Sequence, residues 1–386
     1  MEIFADFHIH IGRTESGRPV KITGSKSLTL QNILKEAALV KGMNMIGIID
    51  CHVPEVISEL EGLVSDGTVV ALEDGGLQFE NLTLIPGCEI ELYDKNCKGP
   101  VHVLVYLPNI SKMKHFTNWL SARMKNITLS SQRIYEDAKT LQEKAKELGG
   151  LFIPAHIFTP FKSLYGKGVS KSLTEIFHPS LIDAVELGLS SDTQMADQIQ
   201  ELNRYPFLTN SDAHSVGKIA REYQKLELHA STYKEFKMAL RNEGGRKILA
   251  NYGLDPRLGK YHRTSCASCF SVIEPESANV CPACGETTLV KGVFDRLEEL
   301  ADSSGRQRER PPYFHQVPLE FIPGLGPKTL QKLLDHFGTE MAILHYVSER
   351  DLAEVVPKKI AETIGKARNG ELKLRTGGAG KYGKVD

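Results

Sequence analysis

Met1-Glu2-Ile3-Phe4-Ala5-Asp6-Phe7-His8-Ile9-His10 opens the chain as an apolar strand that ends in two histidines one residue apart. Alternate side chains of a strand share a face, so His8 and His10 point the same way, roughly 7 Å apart along the strand, and can both reach one metal ion. Asp6 falls on that face too, placed to orient an imidazole from behind. A lone His-x-His also arises in packed cores and on surface strands, so its meaning depends on what the rest of the chain brings to it.

The pattern of a buried strand ending in polar residues recurs. A helix from Ser27 to Lys41, with Ser27 or Thr29 as N-cap, leads to Met45–Ile49 and then Asp50-Cys51-His52. Glu89 follows Pro86-Gly87-Cys88, His102 sits in Val101–Tyr106, and His156 ends Leu151–Ala155. Val185 runs into Glu186, and Phe207–Thr209 into Asn210-Ser211-Asp212-Ala213-His214. Helices, among them 130–148 and 192–203, fill the gaps. Alternating strands and helices predict an α/β fold with a mostly parallel sheet or barrel. In such folds reactive groups gather at the carboxyl ends of strands. Of thirteen histidines, six lie at strand ends or starts of this kind, with Glu89 and Asp212 as hard oxygen ligands. Any one histidine could be a core residue bonded to a carbonyl, whereas the set points to a multinuclear metal site.

A chain of 386 residues can bury a large domain with smaller appendages. With no run of eighteen apolar residues and no basic-apolar leader, the expectation is a cytoplasmic, nucleoid-associated protein without a membrane partner. The net charge of -1 hides basic runs at 237–263 and 358–384, which a solvated face explains as well as nucleic acid does.

The ordered set His8-x-His10, His52, Glu89, His102, His156 and Asp212-x-His214 resembles the PHP (polymerase and histidinol phosphatase) family over residues 1–250. That resemblance implies a distorted (β/α)7 barrel that hydrolyses phosphoesters with two or three divalent metals, Zn2+, Mn2+ or Mg2+. By position, His8, His10, Glu89 and Asp212 would be the catalytic core and hold one cation, and Glu89 would bridge to a second held by His102 and His156. His52 and His214 would hold a third. Two departures bear on that third cation. The family's Asp or His after the first motif is replaced here by Glu15 alone, and its Asp-His reads Asp50-Cys51-His52, which makes Asp50 the substitute ligand.

After His156 comes an aromatic, basic, glycine-bearing loop. Its Phe158, Phe161, Lys162, Ser163, Tyr165 and Lys167 read either as substrate contacts, with rings to stack on a base and cations for phosphate, or as a cover for the barrel mouth. Residues 251–292 carry Cys266-x-x-Cys269 and Cys281-x-x-Cys284, four thiolates spaced for a structural Zn2+ in a segment with little apolar core of its own. Lys260, just before the first knuckle, is placed to meet a phosphate. A linker is expected at 293–317. In 318–370, Phe321-Ile322-Pro323-Gly324-Leu325-Gly326-Pro327-Lys328 resembles the helix-hairpin-helix motif, in which Gly324, Gly326 and Lys328 would grip the DNA backbone. A second, glycine-free copy runs from Leu352 to Ala361, and 371–386 reads as a flexible tail.

This combination, including Gly259-Lys260-Tyr261-His262 before the ribbon, resembles the endonuclease Q family of DNA repair enzymes. The resemblance implies incision of double-stranded DNA 5′ to uracil, hypoxanthine, xanthine or an abasic site, leaving 3′-hydroxyl and 5′-phosphate ends. A base hidden in a duplex must be flipped out to be judged, so a pocket near the barrel mouth is expected. A small-molecule phosphatase would leave the ribbon and hairpins without a role. A non-catalytic DNA-binding scaffold is the other alternative.

Overall fold

In the computed structural model, which describes residues 1–273, 280–303, 308–372, 374–375 and 383–385, strand Glu2–Ile9 lies at the middle of a large mixed sheet. It pairs antiparallel with Tyr223–Glu227 and parallel with Met45–Ile48. Beyond Tyr223–Glu227 come Lys247–Gly253, antiparallel, and Tyr313–His315, parallel to the latter. On the other side Met45–Ile48 runs parallel to the first half of Leu82–Leu92. The second half of that long strand pairs antiparallel with Val101–Tyr106, which pairs antiparallel with Leu151–Pro154. The parallel pair Val185–Glu186 and Phe207–Leu208 bridges the remaining gap, with Asp183 N donating to Phe152 O at 3.0 Å and Ala213 N to His8 O at 3.1 Å.

The sheet is therefore less parallel than the alternating pattern predicts. Leu82–Leu92 and Val101–Tyr106 are joined by a loop over 93–100 that holds no crossover helix, so the chain returns antiparallel. Ile3, Ala5 and Phe7 share a buried cluster with Met45, Ile85 and Leu104, the barrel interior. Phe236 stacks on Phe7 at 3.9 Å, so helix Tyr233–Ala239 plugs one end. Between Asp6 and Ile9 the register shifts, and the strict alternation of the first strand breaks just where the histidines begin.

Three expected helices are shorter or differently wound. The first spans Leu30–Lys35 and continues as a wider π-helical turn over Glu36–Lys41; Thr29 stands at its N-cap without a capping side-chain bond. The helix expected over 130–148 is only Ala138–Glu147, because Asp137 caps it by accepting from Thr140 N, while the residues before it are drawn into the barrel mouth. The helix expected over 192–203 breaks into Thr193–Ala196 and a 3-10 turn at Gln200–Arg204.

In the segment 293–317, expected as a linker, the described residues include two packed elements. Val293–Leu300 is a helix with Val293, Leu297 and Leu300 buried, and Tyr313–His315 is an edge strand of the large sheet. Arg310 pairs with buried Asp197 at 2.9 Å and lies over the Phe207 ring at 3.5 Å. Helices Pro327–Phe337, Glu340–His345, Glu349–Val355 and Lys358–Arg368 form the C-terminal region, which docks on the barrel. His345 stacks on Phe4 at 4.4 Å and is hydrogen-bonded to the Tyr223 hydroxyl at 2.7 Å. Lys41 meets Glu340 at 2.8 Å, both nearly buried. The tail expected over 371–386 lies mostly outside the described residues; its described part pairs Leu374–Arg375 with Lys384–Val385. Among the described residues no helix is long and apolar enough to cross a membrane.

The Lys41–Glu340 pair carries a prediction. Lys41→Met strands a buried carboxylate and is expected to destabilise the protein by about 3–5 kcal/mol in urea unfolding. Lys114→Met removes the exposed 2.9 Å pair with Glu61 and should cost less than about 1 kcal/mol.

Candidate functional site

Two sets of side chains converge at the open end of the barrel, opposite the Phe236 plug. His8, His10 and Asp212 form one, and Glu89, His102 and His156 the other. His8 Nε2 lies 3.4 Å from Asp212 Oδ1 and 3.6 Å from Glu89 Oε1. His10 Nε2 lies 3.5 Å from Asp212 Oδ1 and 3.6 Å from Glu89 Oε2. On the far side Glu89 Oε1 reaches His102 Nδ1 at 2.9 Å and His156 Nε2 at 3.4 Å. Glu89 thus stands between the two sets.

The donor set suits divalent cations. Nε2 of His8, His10 and His102 are buried and lack a hydrogen-bond partner among the described residues. Ligands about 2.1 Å from a tetrahedral centre stand about 3.4 Å apart, close to the spacing around His8, His10, Asp212 and Glu89. Electrostatics agree. Burial disfavours a protonated His8, but Glu186, Asp212 and Glu89 outweigh it and push its pKa up to about 10. Burial raises the carboxyl of Glu89, yet His102 and Lys21 hold it well below the usual range; His8, His10 and His214 do the same for Asp212. Anions packed this closely favour a proton on His8 and on His102, which a bound cation would replace. The backbone is strained at two of the ligands. His156 and Asp212 take left-handed φ of 30° and 44°, which costs of order 1–3 kcal/mol each.

The residues behind these side chains differ from the expectation. Asp6 does not touch an imidazole; after the register shift its oxygens accept from the backbone N–H of Ser211 at 3.0 Å and Ala220 at 2.9 Å. Glu186 orients His8 instead, accepting from Nδ1 at 2.9 Å, and also takes His156 N at 2.8 Å and Asn210 Nδ2 at 2.7 Å. Asp50 sits behind His10, with Oδ2 3.1 Å from its Nδ1 and 2.8 Å from Ile11 N. His52 is tied to Leu129 O at 3.3 Å, and His214 Nε2 lies 3.2 Å from Asp212. Among the described residues, Asp50, His52 and His214 join no group of three that could share a cation.

Several participants carry no mark in the sequence. Lys21 reaches Glu89 Oε2 at 3.2 Å, Ser130 Oγ lies 3.1 Å from His10 Nδ1, and Ser131 bonds Glu89. All three come from loops. Glu186 was detectable, since it ends a strand as the ligands do.

A cleft of about 360 Å³ adjoins the site, lined by Asp212, His214, Lys218, Arg221, Lys260 and Tyr261 among others. The loop after His156 contributes less than its composition suggests. Phe158, 1% exposed, stacks on buried Tyr165, whose hydroxyl is held by Glu201 at 2.7 Å, and Ser163 is buried too. These three are core residues, because the loop folds back under itself. Phe161, 45% exposed, meets Tyr261 edge-on at 5.4 Å, with Lys167 Nζ 5.6 Å from its ring. Lys162 pairs with Glu91 at 2.9 Å.

Further along, Cys266, Cys269, Cys281 and Cys284 converge, with Sγ separations of 3.6 Å for Cys266–Cys284 and 3.5 Å for Cys269–Cys281. Thiolates 2.3 Å from a common Zn2+ stand about 3.8 Å apart, so the four fit one ion. Among the described residues the apolar cluster around them is Cys266, Ile273 and Cys281, with Leu289 against it. Gly324, in the turn before helix Pro327–Phe337, has φ of 84°, open to glycine but strained for other residues. Gly324, Gly326 and Lys328 are exposed there, and Ile360 of the second hairpin lies 3.9 Å from where a Cβ on Gly324 would be.

No protein-family model matches the chain. It is 58% identical over 385 residues to the uncharacterised protein YqxK of Bacillus subtilis, spanning 100% of this chain and 99% of that one. The solved structure of the lesion-specific endonuclease PfuEndoQ from Pyrococcus furiosus is similar with a TM-score of 0.86 and 34% identity, over 100% of this chain and 95% of that chain. An endonuclease Q in complex with a 27-mer duplex substrate bearing an abasic lesion at its active site is similar with a TM-score of 0.86 and 33% identity, over 100% and 96%.

Glu186→Gln is expected to loosen His8 and lower metal affinity about 10–100-fold, measured by chelator competition. Unchanged affinity would show that Glu186 does not position the ligand.

Proposed function

The chain belongs to the endonuclease Q family, and from that premise we propose that it is a metal-dependent DNA repair endonuclease that incises duplex DNA 5′ to an abasic site or a deaminated base, leaving 3′-hydroxyl and 5′-phosphate ends. The observation that carries the reading is Glu89, shared by two imidazole sets beside a cleft large enough for one nucleotide. His8, His10, Glu89 and Asp212 would hold one cation, and Glu89, His102 and His156 a second. Such cations make water more acidic at neutral pH and offset charge at the phosphate.

The chain's own residues do the rest. Glu186 and Asp50 fix the rings of His8 and His10, so the ligands are set before substrate arrives. Lys218, Arg221 and Lys260 line the cleft with positive charge for the phosphates around a flipped nucleotide, and Tyr261 offers a ring at its wall. A damaged or mispaired base leaves the stack at lower cost, which supplies part of the selectivity. The turn at Gly324–Lys328 would hold backbone phosphates without reading sequence, and the four thiolates would hold a structural Zn2+.

The test uses end-labelled duplexes carrying one abasic site, uracil, hypoxanthine or xanthine, beside undamaged duplex and a phosphomonoester. Cutting at the 5′ side of the lesion is expected, and His8→Ala or Asp212→Ala should lose more than about 100-fold in rate while DNA binding is retained. Equal cutting of undamaged duplex, or hydrolysis of the phosphomonoester alone, would overturn the reading. Lys328→Ala should weaken binding to all duplexes alike and lower the salt dependence by about one phosphate contact, read from binding isotherms at several salt concentrations.

A further inference from the structure

Lys21 meets the loop that lies against the residues the PHP pattern would give to a third cation: Ser131 Oγ is 3.0 Å from Ser130 Oγ, Ser130 Oγ is 3.1 Å from His10 Nδ1, which Asp50 also holds, and His52 Nε2 is bonded to Leu129 O. The Lys21 ammonium is 3.2 Å from Glu89 Oε2 and 2.7 Å from Ser131 Oγ, and the side chain is 13% exposed. The backbone is anchored beside the first motif: Lys21 N donates to Ile11 O at 2.8 Å and Val20 N to Gly12 O at 3.0 Å. The groups left for a third metal are few. Asp50 Oδ2 is engaged by His10 and Ile11, and His52 Nε2 by Leu129 O. His214, the other residue expected at a third ion, is turned to Asp212 at 3.2 Å and to Thr23 Oγ1 at 3.3 Å. Of Asp50 and His52, only Asp50 Oδ1 and His52 Nδ1 are unpartnered among the described residues, fewer than the four or more ligands a divalent ion takes.

We propose that Lys21 is a catalytic residue of the incision reaction: its ammonium takes the place of a third metal ion, and the barrel works with two. An ammonium has three donors, of which Glu89 and Ser131 engage two. The third donates to a non-bridging oxygen of the scissile phosphate and stabilises the charge that builds there. No bond is made or broken at Lys21. The inference rests on the phosphoesterase reading of the site.

Full-length protein and its Lys21→Met and Lys21→Arg variants are compared by metal content, duplex affinity and single-turnover cutting of an abasic duplex. The expected wild type carries two ions in the barrel and one in the four-cysteine ribbon. Lys21→Met should keep those ions, the fold as judged by thermal unfolding, and the duplex affinity, but cut about 10²–10³-fold more slowly, with partial recovery in Lys21→Arg. A third barrel ion in the wild type overturns the proposal. So does Lys21→Met that cuts at the wild-type rate, or that loses metal or fold while Lys21→Arg restores the ions without any cutting. A wild type that cuts no lesion duplex removes the nuclease reading instead, and the ion count then still decides whether Lys21 replaces a metal.

Discussion

A single carboxylate, Glu89, is the point on which the architecture turns. It is buried in the wall of the barrel with His8, His10, His102, His156 and Lys21 all within 3.6 Å of its oxygens. A carboxylate placed so deep is costly unless positive charge meets it. The first strand brings His8 and His10, Val101–Tyr106 brings His102, and the loops around Lys21 and after Leu151–Pro154 bring Lys21 and His156 to answer that charge. The mixed sheet follows from the same need: Leu82–Leu92 must bend past Met45–Ile48 to pair with Val101–Tyr106, which carries His102 to Glu89.

The groups that line up with strand ends were legible in the sequence, because a strand fixes the direction of its side chains and a polar residue at its carboxyl end has few other roles. His8, His10, Glu89, His102, His156 and Asp212 were all visible in this way, and the structure brings them together. Loop residues were not. Lys21, Ser130 and Ser131 reach the site through turns that no periodicity announces. Asp6 was misplaced because alternation was assumed through a register shift. Phe158 and Tyr165 were open to two readings in the sequence, because aromatics beside a ligand serve a core as readily as a substrate, and both are buried. The helix Val293–Leu300 was hidden by its charged outer face, which reads as a linker until its buried stripe is seen.

The C-terminal region is more than an appendage. His345 between Phe4 and Tyr223, with Lys41 against Glu340, fastens it to the strand that carries His8 and His10. Lys218, which lines the cleft, pairs with Glu320 at 2.6 Å just before the first hairpin. One short polar link therefore joins the wall of the cleft to the segment that leads into the first hairpin.

Anomalous diffraction from Mn2+-loaded crystals is the most direct test of the claim that the strand ends converge on one binuclear centre. The account predicts two peaks about 3.5–4 Å apart on either side of the Glu89 carboxylate, one against His8, His10 and Asp212 and the other against His102 and His156. Peaks confined to the four cysteines, or scattered over the surface with none at Glu89, would contradict it.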